Sequence, residues 1–105
     1  MTAPSNTPPV QELIAGIRSE SPVARERSAD EVTDVCRGLD AAEVEALIVA
    51  LVAANAAEDD EACRESQLNA IAEVCSHHDF DPGLLAPLRG IERTPQLNEY
   101  LDGLL

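Results

Sequence analysis

The sequence predicts an all-α domain in which about six helices form a right-handed stack of antiparallel pairs. Apolar residues recur at the 3.6-residue period of a helix in one segment after another. The hydrophobic content of 45% consists mainly of small aliphatic side chains, with only 2% aromatic residues, and such side chains suit closely packed helices. In addition, the segment from Arg25 to Cys36 recurs, at a constant offset of 39 residues, as the segment from Arg64 to Cys75.

The length of 105 residues gives room for one domain with one modest core. The first nine residues contain three prolines among Ser, Thr and Asn and show no periodicity. We therefore expect a flexible leader over 1–9, followed by a single helical-repeat domain over 10–105.

Two helices are expected before the centre of the chain, over about 10–18 and 22–37. Ser21 and Pro22 provide an N-cap and a proline at the first helical position, where its missing N–H costs nothing. Gly38 is placed to end the second helix.

The central helix, predicted over 40–57, is the element around which the others are organised. Asp40 suits the N-cap, and Glu43 three residues later can complete a capping box. Val49 and Val52 lie off the main apolar face, which carries Val44, Leu47, Ile48 and Leu51. A helix that is apolar on more than one side needs partners on several sides.

The second half of the chain repeats this pattern of turns and helix caps. Four consecutive carboxylates over 58–61 repel one another, so we expect a solvated turn that cannot be buried, followed by a helix over 61–77. Asp81 and Pro82 open a short helix, which Pro87 should kink or stop. A last helix, with an apolar stripe, should begin at 94–95.

The two copies of the repeat agree in residue type at both ends. Arg-Glu opens each copy and Val-Cys closes it, and in each a second helix follows with an Asp near its start. Two helices in about 40 residues are typical of HEAT and armadillo units, which bury their apolar faces by stacking. From about residue 21 to residue 91 the chain resembles HEAT-like helical-repeat proteins, and SPVARERSADEV resembles the opening of a first HEAT helix. This resemblance implies a surface that contacts other macromolecules.

The charge balance narrows the class of partner. Twenty acidic residues against seven basic ones give a formal net charge of −13. This argues against binding to nucleic acid or to an anionic membrane through a basic patch and favours a basic protein partner. The alternative is that the charge only keeps the protein in solution. More loosely, the chain resembles small acidic immunity proteins of bacterial polymorphic toxin systems, which implies a toxin as the partner.

Several features predict a cytoplasmic protein. The sequence has no apolar run of the ~20 residues needed to span a bilayer, and it does not open with the features of a signal peptide. Three cysteines without a CxxC pair are poor material for a disulfide framework. Cys36 and Cys75 occupy equivalent positions on stacked helices, which are usually too far apart for a disulfide.

Metal binding and catalysis find little support in the spacing of side chains. The metal-ligand types cluster only at Cys75, His77, His78 and Asp79, with no second ligand pair to complete a tetrahedron. His77 and His78 are the side chains that could act as general bases, and nothing in the spacing aims a nucleophile at them. We predict no metal, no cofactor and no enzymatic activity.

The sequence instead predicts a non-catalytic protein-binding module, most specifically an immunity protein that occludes a basic, nuclease-like toxin. An apolar centre with a charged rim is the anatomy of a protein interface. Its predicted residues are Glu43, Glu45, Val49, Val52, Glu58, Asp59, Asp60 and Glu61. Two alternatives stay open: a structural adaptor that forms a homodimer, and an arrangement in which the first or last helix covers Val49 and Val52.

Overall fold

A computed structural model describes residues 9–90. Within this range the chain is helical and contains no strand, so the predicted all-α class is confirmed. The predicted leader, apart from Pro9, and the predicted last helix lie outside the described residues. The elements are α1 (Val10–Ile17), α2 (Pro22–Val35), a 3-10 turn (Cys36–Gly38), α3 (Ala41–Ala57), α4 (Glu61–His77) and a 3-10 helix (Pro82–Gly90).

Helices α2, α3 and α4 each begin at a side-chain cap that the sequence contains. The hydroxyl of Ser21 accepts a hydrogen bond from the N–H of Ala24 at 3.4 Å. At α3 the predicted capping box is present, because Asp40 accepts from the N–H of Glu43 at 2.8 Å and Glu43 accepts from the N–H of Asp40 at 2.9 Å. Asp60 caps α4 with its side chain alone, accepting from the N–H of Cys63 at 2.9 Å.

The helices pair into two hairpins that pack against each other. Helices α1 and α2 form one hairpin and α3 and α4 form another, while α2 packs along α4 and α1 packs along α3. The 3-10 helix also packs against α3. Helix α3 therefore has α1, α4 and the 3-10 helix as neighbours, which explains why its apolar residues are not confined to one face.

The burial of α3 follows from this central position. Seven of its residues are buried, and Val52 is among them at 2% exposure. Val49, in contrast, is 44% exposed. One of the two predicted surface valines is thus in the core, because the neighbouring helices cover its side of α3.

The hairpin of α1 and α2 depends on a close approach at Gly16. A Cβ built at Gly16 would lie 1.8 Å from Oγ and 2.9 Å from Cβ of Ser28. No side chain fits there without moving one helix away from the other, because 2.9 Å is well inside the contact distance of two carbon atoms.

The segment around Pro87 differs from a regular α-helix. All of Pro82–Gly90 is 3-10, with Leu85 and Leu88 fully buried. A proline in this position cannot donate the i→i−4 hydrogen bond that an α-helix would require. The short segment nevertheless contributes these two leucines to the core.

The two copies of the repeat make the same contact at the start of their helices. Arg25 donates to the carbonyl of Ser19 at 2.9 Å, and Arg64 donates to the carbonyl of Glu58 at 3.0 Å. In both copies the arginine holds the carbonyl six residues before it, in the loop that leads into the helix. The sequence offset of 39 residues therefore corresponds to a repeated local structure.

Candidate functional site

The eight predicted interface residues fall into three groups. Glu45, Val49, Asp59 and Glu61 are exposed. Glu43 and Asp60 are half-buried and serve as helix caps. Val52 and Glu58 are buried, so the structure removes these two from the predicted surface.

The prediction that the acidic turn over 58–61 cannot be buried is wrong for Glu58. Only 1% of its side chain is exposed, and Arg25 pairs with it through two parallel contacts, Nε to Oε1 at 2.8 Å and Nη2 to Oε2 at 2.9 Å. Gln67 donates to Oε1 at 2.8 Å, and the N–H of Asp60 donates to Oε2 at 3.1 Å. A carboxylate can be buried when four donors satisfy its oxygens in this way.

The electrostatics of the pair follow from these contacts. Burial by itself would raise the pKa of Glu58, but the hydrogen bonds from Arg25, Asp60 and Gln67 outweigh it and hold the pKa below its usual value. The hydrogen bond to Glu58 likewise raises the pKa of Arg25. Both groups are therefore charged at neutral pH.

Glu58 belongs to a larger polar cluster, defined by Arg25, Asn55, Glu58, Arg64 and Gln67. Asn55 and Gln67 are buried and share a 3.1 Å hydrogen bond, and Asn55 also donates to the carbonyl of Arg64 at 3.3 Å. Oδ1 of Asn55 and Nε of Arg64 are buried without a hydrogen-bond partner. The polar cluster ties α2, the end of α3 and the start of α4 to the turn between α3 and α4.

A thiol lies beside the polar cluster but is poorly suited to nucleophilic chemistry. Cys63 is buried and donates from Sγ to the carbonyl of Pro22 at 2.8 Å. Burial and the neighbouring carboxylate of Glu58 raise its pKa, so the thiolate is disfavoured. The surroundings of Cys63 are those of a structural thiol.

Sequence reasoning missed the polar cluster, although the sequence contains a signal for it. Gln67 lies four residues before Ile71 and seven before Val74, on the buried side of α4, and Asn55 interrupts the apolar helix α3. Polar side chains on buried faces require partners. Which partners they find depends on the packing of α2 against α4, which the periodicity of a single helix does not specify.

Three of the four exposed predicted residues, Glu45, Val49 and Asp59, border a surface between α1 and α3, which we call the α1–α3 face. One shallow cleft of about 410 Å³ is lined by Ile14, Arg18, Ala42, Glu45, Ala46 and Val49. A second, of about 420 Å³, shares Arg18 and reaches Asp59 along the alanines at the end of α3. The α1–α3 face thus combines small apolar side chains with the carboxylates of Glu45 and Asp59 and the guanidinium of Arg18.

A second acidic surface lies on the outer side of α2 and was not predicted. Val23 is 64% exposed there. A shallow depression of about 390 Å³ is lined by Val23, Glu26, Arg27, Asp30, Glu31 and Asp34. We call these six residues the α2 face. The spacing of Glu26, Asp30 and Asp34, four residues apart, could have indicated it.

At the opposite end of α2 and α4 the structure brings together a different set of metal-ligand types from the predicted one. Cys36, Glu73 and His77 place one ligand atom each within 4.8 Å of one another. His77 Nε2 lies 3.5 Å from Oε2 of Glu73 and accepts from Nε of Arg37 at 3.4 Å. Of the predicted cluster, only His77 belongs to this group.

Two residues beside this group, His78 and Cys75, have surroundings that indicate a structural role. His78 donates from its ring to the backbone carbonyl of Cys36, which ties the end of α4 to the 3-10 turn. Cys75 is half-buried, and burial raises its pKa to about 11. Burial is also the largest of the effects that raise the pKa of Cys36. All three cysteines are free.

Comparisons with protein-family models, with curated proteins and with solved structures find no match to this chain. None of the helices in the described part of the chain combines the length and the apolar character that crossing a membrane requires.

Proposed function

We propose that this chain is a non-catalytic protein-binding module that binds a basic protein through the α1–α3 face. The observation that carries the proposal is the exposure of Val49, at 44%, on a helix whose other large apolar side chains are buried. Glu45 and Asp59 border the same surface. An apolar centre with an acidic rim suits a partner that presents an apolar side chain among basic ones.

The net charge supports the same kind of partner. At −13 the chain attracts positively charged proteins at a distance and repels nucleic acids and anionic membranes. Such steering speeds encounter and weakens as salt is added. Binding through this face should therefore be faster at low ionic strength.

The architecture that we infer is a HEAT-like right-handed stack. The packing of α2 along α4 and of α1 along α3 supports it, as does the arginine contact that both copies of the repeat make. In such a stack the layer that contains α1 and α3 forms one continuous surface. Helix α3 would present its exposed residues at the centre of that surface.

The more specific form of the proposal is a cytoplasmic immunity protein of a bacterial toxin system. Its partner would be a basic, nucleic-acid-cleaving toxin domain, whose substrate-binding surface is positively charged because it must contact phosphates. The α1–α3 face would cover that surface and exclude the substrate. The support for this form is the small size and the strong acidity of the chain.

Charge reversal tests the proposal. The triple variant Glu45→Arg, Asp59→Arg and Glu61→Arg changes exposed residues and leaves the caps Asp40, Glu43 and Asp60 intact. We expect the triple variant to bind the proposed partner, a basic nuclease-like toxin domain, at least tenfold more weakly, with unchanged far-ultraviolet circular dichroism.

The matched control reverses the same number of charges on the α2 face, with Glu26→Arg, Asp30→Arg and Asp34→Arg. It changes the net charge equally and should weaken binding only through the lost long-range attraction. Equal loss of affinity in both triple variants would mean that net charge alone governs binding, and an unaffected first variant would refute the α1–α3 face.

A homodimeric adaptor is the second candidate, and the exposed Val23 and Val49 favour it. A pair of copies that met through either valine would remove an apolar patch from water. Sedimentation equilibrium decides: a monomer at micromolar concentration counts against the dimer, whereas a dimer that Val49→Asp or Val23→Asp dissociates would support it.

A further inference from the structure

Cys36, Glu73 and His77 offer three different donor atoms in a small volume at the end of α2 and α4. A sulfur, a carboxylate oxygen and an imidazole nitrogen lie within 4.8 Å of one another. Glu73 and His77 are four residues apart on α4, so their side chains emerge on the same face of the helix. Cys36 comes from the 3-10 turn that follows α2, which packs against α4.

We propose that these three residues form a binding site for a borderline divalent cation of the Zn²⁺ class. Ligand distances of about 2.0–2.3 Å place the donors of a tetrahedral zinc site roughly 3.3–3.8 Å apart. The three donors therefore need to approach one another by only about 1 Å. Glu73 and His77 have side chains that are 40% and 29% exposed, so both have the freedom to make this movement.

The donor set selects the class of cation. A thiolate and an imidazole favour zinc, cobalt and related ions, whereas calcium and magnesium prefer oxygen ligands alone. Three protein ligands leave the fourth position of a tetrahedron to water. Because Cys36 is 1% exposed and the other two residues are half-exposed, the ion would lie at the rim of the core, open to solvent on one side.

Neighbouring residues hold the site and also modulate it. The hydrogen bond from His78 to the carbonyl of Cys36 fixes the 3-10 turn against the end of α4, in the manner of an outer-shell contact. Arg37 donates to His77 at 3.4 Å and brings a positive charge close to the proposed cation. Arg37 is exposed and can turn away into solvent. Its charge should weaken the site without abolishing it.

Titration of the full, reduced chain with Co²⁺ under anaerobic conditions tests the proposal. We expect one Co²⁺ per chain, a thiolate-to-cobalt charge-transfer absorption, displacement of Co²⁺ by Zn²⁺, and an unfolding temperature that rises with ion concentration. Cys36→Ser should remove the absorption. Glu73→Gln and His77→Asn should each weaken binding roughly tenfold or more.

Three further variants distinguish this site from a site that uses another cysteine and from a purely structural role of these residues. Cys75→Ser and Cys63→Ala should leave the absorption and the affinity unchanged, and Arg37→Ala should tighten binding, because it removes a like charge. A structural role alone would not produce a gain of affinity in Arg37→Ala.

Glu73→Gln and His77→Asn alter half-exposed side chains, so they keep the test valid even if Cys36→Ser does not fold. The proposal is overturned if no absorption develops at millimolar Co²⁺, if Glu73→Gln and His77→Asn both bind as tightly as the unaltered chain, or if Cys75→Ser abolishes the signal.

Discussion

At the scale of single residues, Glu58 shows most clearly what folding does to an acidic side chain. Its sequence context, with three further acids after it, indicates a solvated turn. The structure instead turns Glu58 inward to Arg25, Gln67 and the N–H of Asp60, while Asp59 stays exposed. The Arg-Glu pair is 33 residues apart in sequence, so local charge patterning could not predict it.

The pair makes stability depend on pH in a defined direction. A carboxyl whose pKa is lower in the folded chain than in the unfolded chain stabilises the fold above the unfolded value, about 4.3 for Glu, and loses that contribution as the pH falls through the folded pKa. We therefore expect Glu58→Gln to lower the free energy of unfolding by roughly 1–3 kcal/mol at neutral pH, with a difference that shrinks as the pH falls below about 4.

Urea denaturation at a series of pH values measures this effect. Glu61→Gln, in the same turn but exposed, is the control and should change stability by no more than about 0.5 kcal/mol. If Glu58→Gln and Glu61→Gln behave alike at neutral pH, Glu58 does not stabilise the fold.

At the scale of elements, the residues at which the helices begin were predictable from the sequence. Which neighbouring helices pack against each of them was predictable only in part. The caps at Ser21 and Asp40 depend on residues within one turn, which the sequence displays directly. The number of sides on which α3 needs partners was also predictable from its apolar residues. The different environments of Val49 and Val52 were not, because periodicity does not specify which neighbour covers which side of a helix.

The contact between α1 and α2 gives a test at this scale. In an unobstructed helix, Gly→Ala stabilises by about 1 kcal/mol, because glycine loses more backbone entropy on folding. At Gly16 the added Cβ meets Ser28, so we expect Gly16→Ala to destabilise by about 1–3 kcal/mol instead.

A double-mutant cycle isolates this contact. In a Ser28→Gly background the obstructing Cβ and Oγ are gone, and Gly16→Ala should become neutral or stabilising. Gly38→Ala is the matched control, because a Cβ there would meet nothing within 4 Å. A stabilising Gly16→Ala in the unaltered chain would show that α1 and α2 do not approach as closely as described.

At the scale of the whole molecule, composition and periodicity predicted the all-α class of the fold, and the offset of 39 residues matches the arginine contact that recurs at the starts of α2 and α4. Small aliphatic side chains allow helices to pack closely. A repeat of about 39 residues is expected of helix pairs that bury their apolar faces against one another. The proposed cation site, in contrast, could not be predicted from spacing. It combines the end of α4 with the turn after α2, and Cys36 and Glu73 lie 37 residues apart.

The acidity of the molecule is distributed over more than one surface, which makes the choice of face the main functional question. The α1–α3 face carries Glu45 and Asp59 around Val49, and the α2 face carries Asp30 and Asp34 beside Val23. Only the α1–α3 face lies on the layer that contains the central helix.

Amide chemical-shift mapping distinguishes these faces most directly. The ¹⁵N-labelled chain is titrated with its unlabelled proposed partner, a basic nuclease-like toxin domain, and the shift of every assigned amide is followed. Our account predicts that the largest changes cluster around Glu45, Val49 and Asp59, with little change in α2. Changes that cluster instead around Val23, Asp30 and Asp34, or a saturating titration that leaves α3 undisturbed, would contradict it.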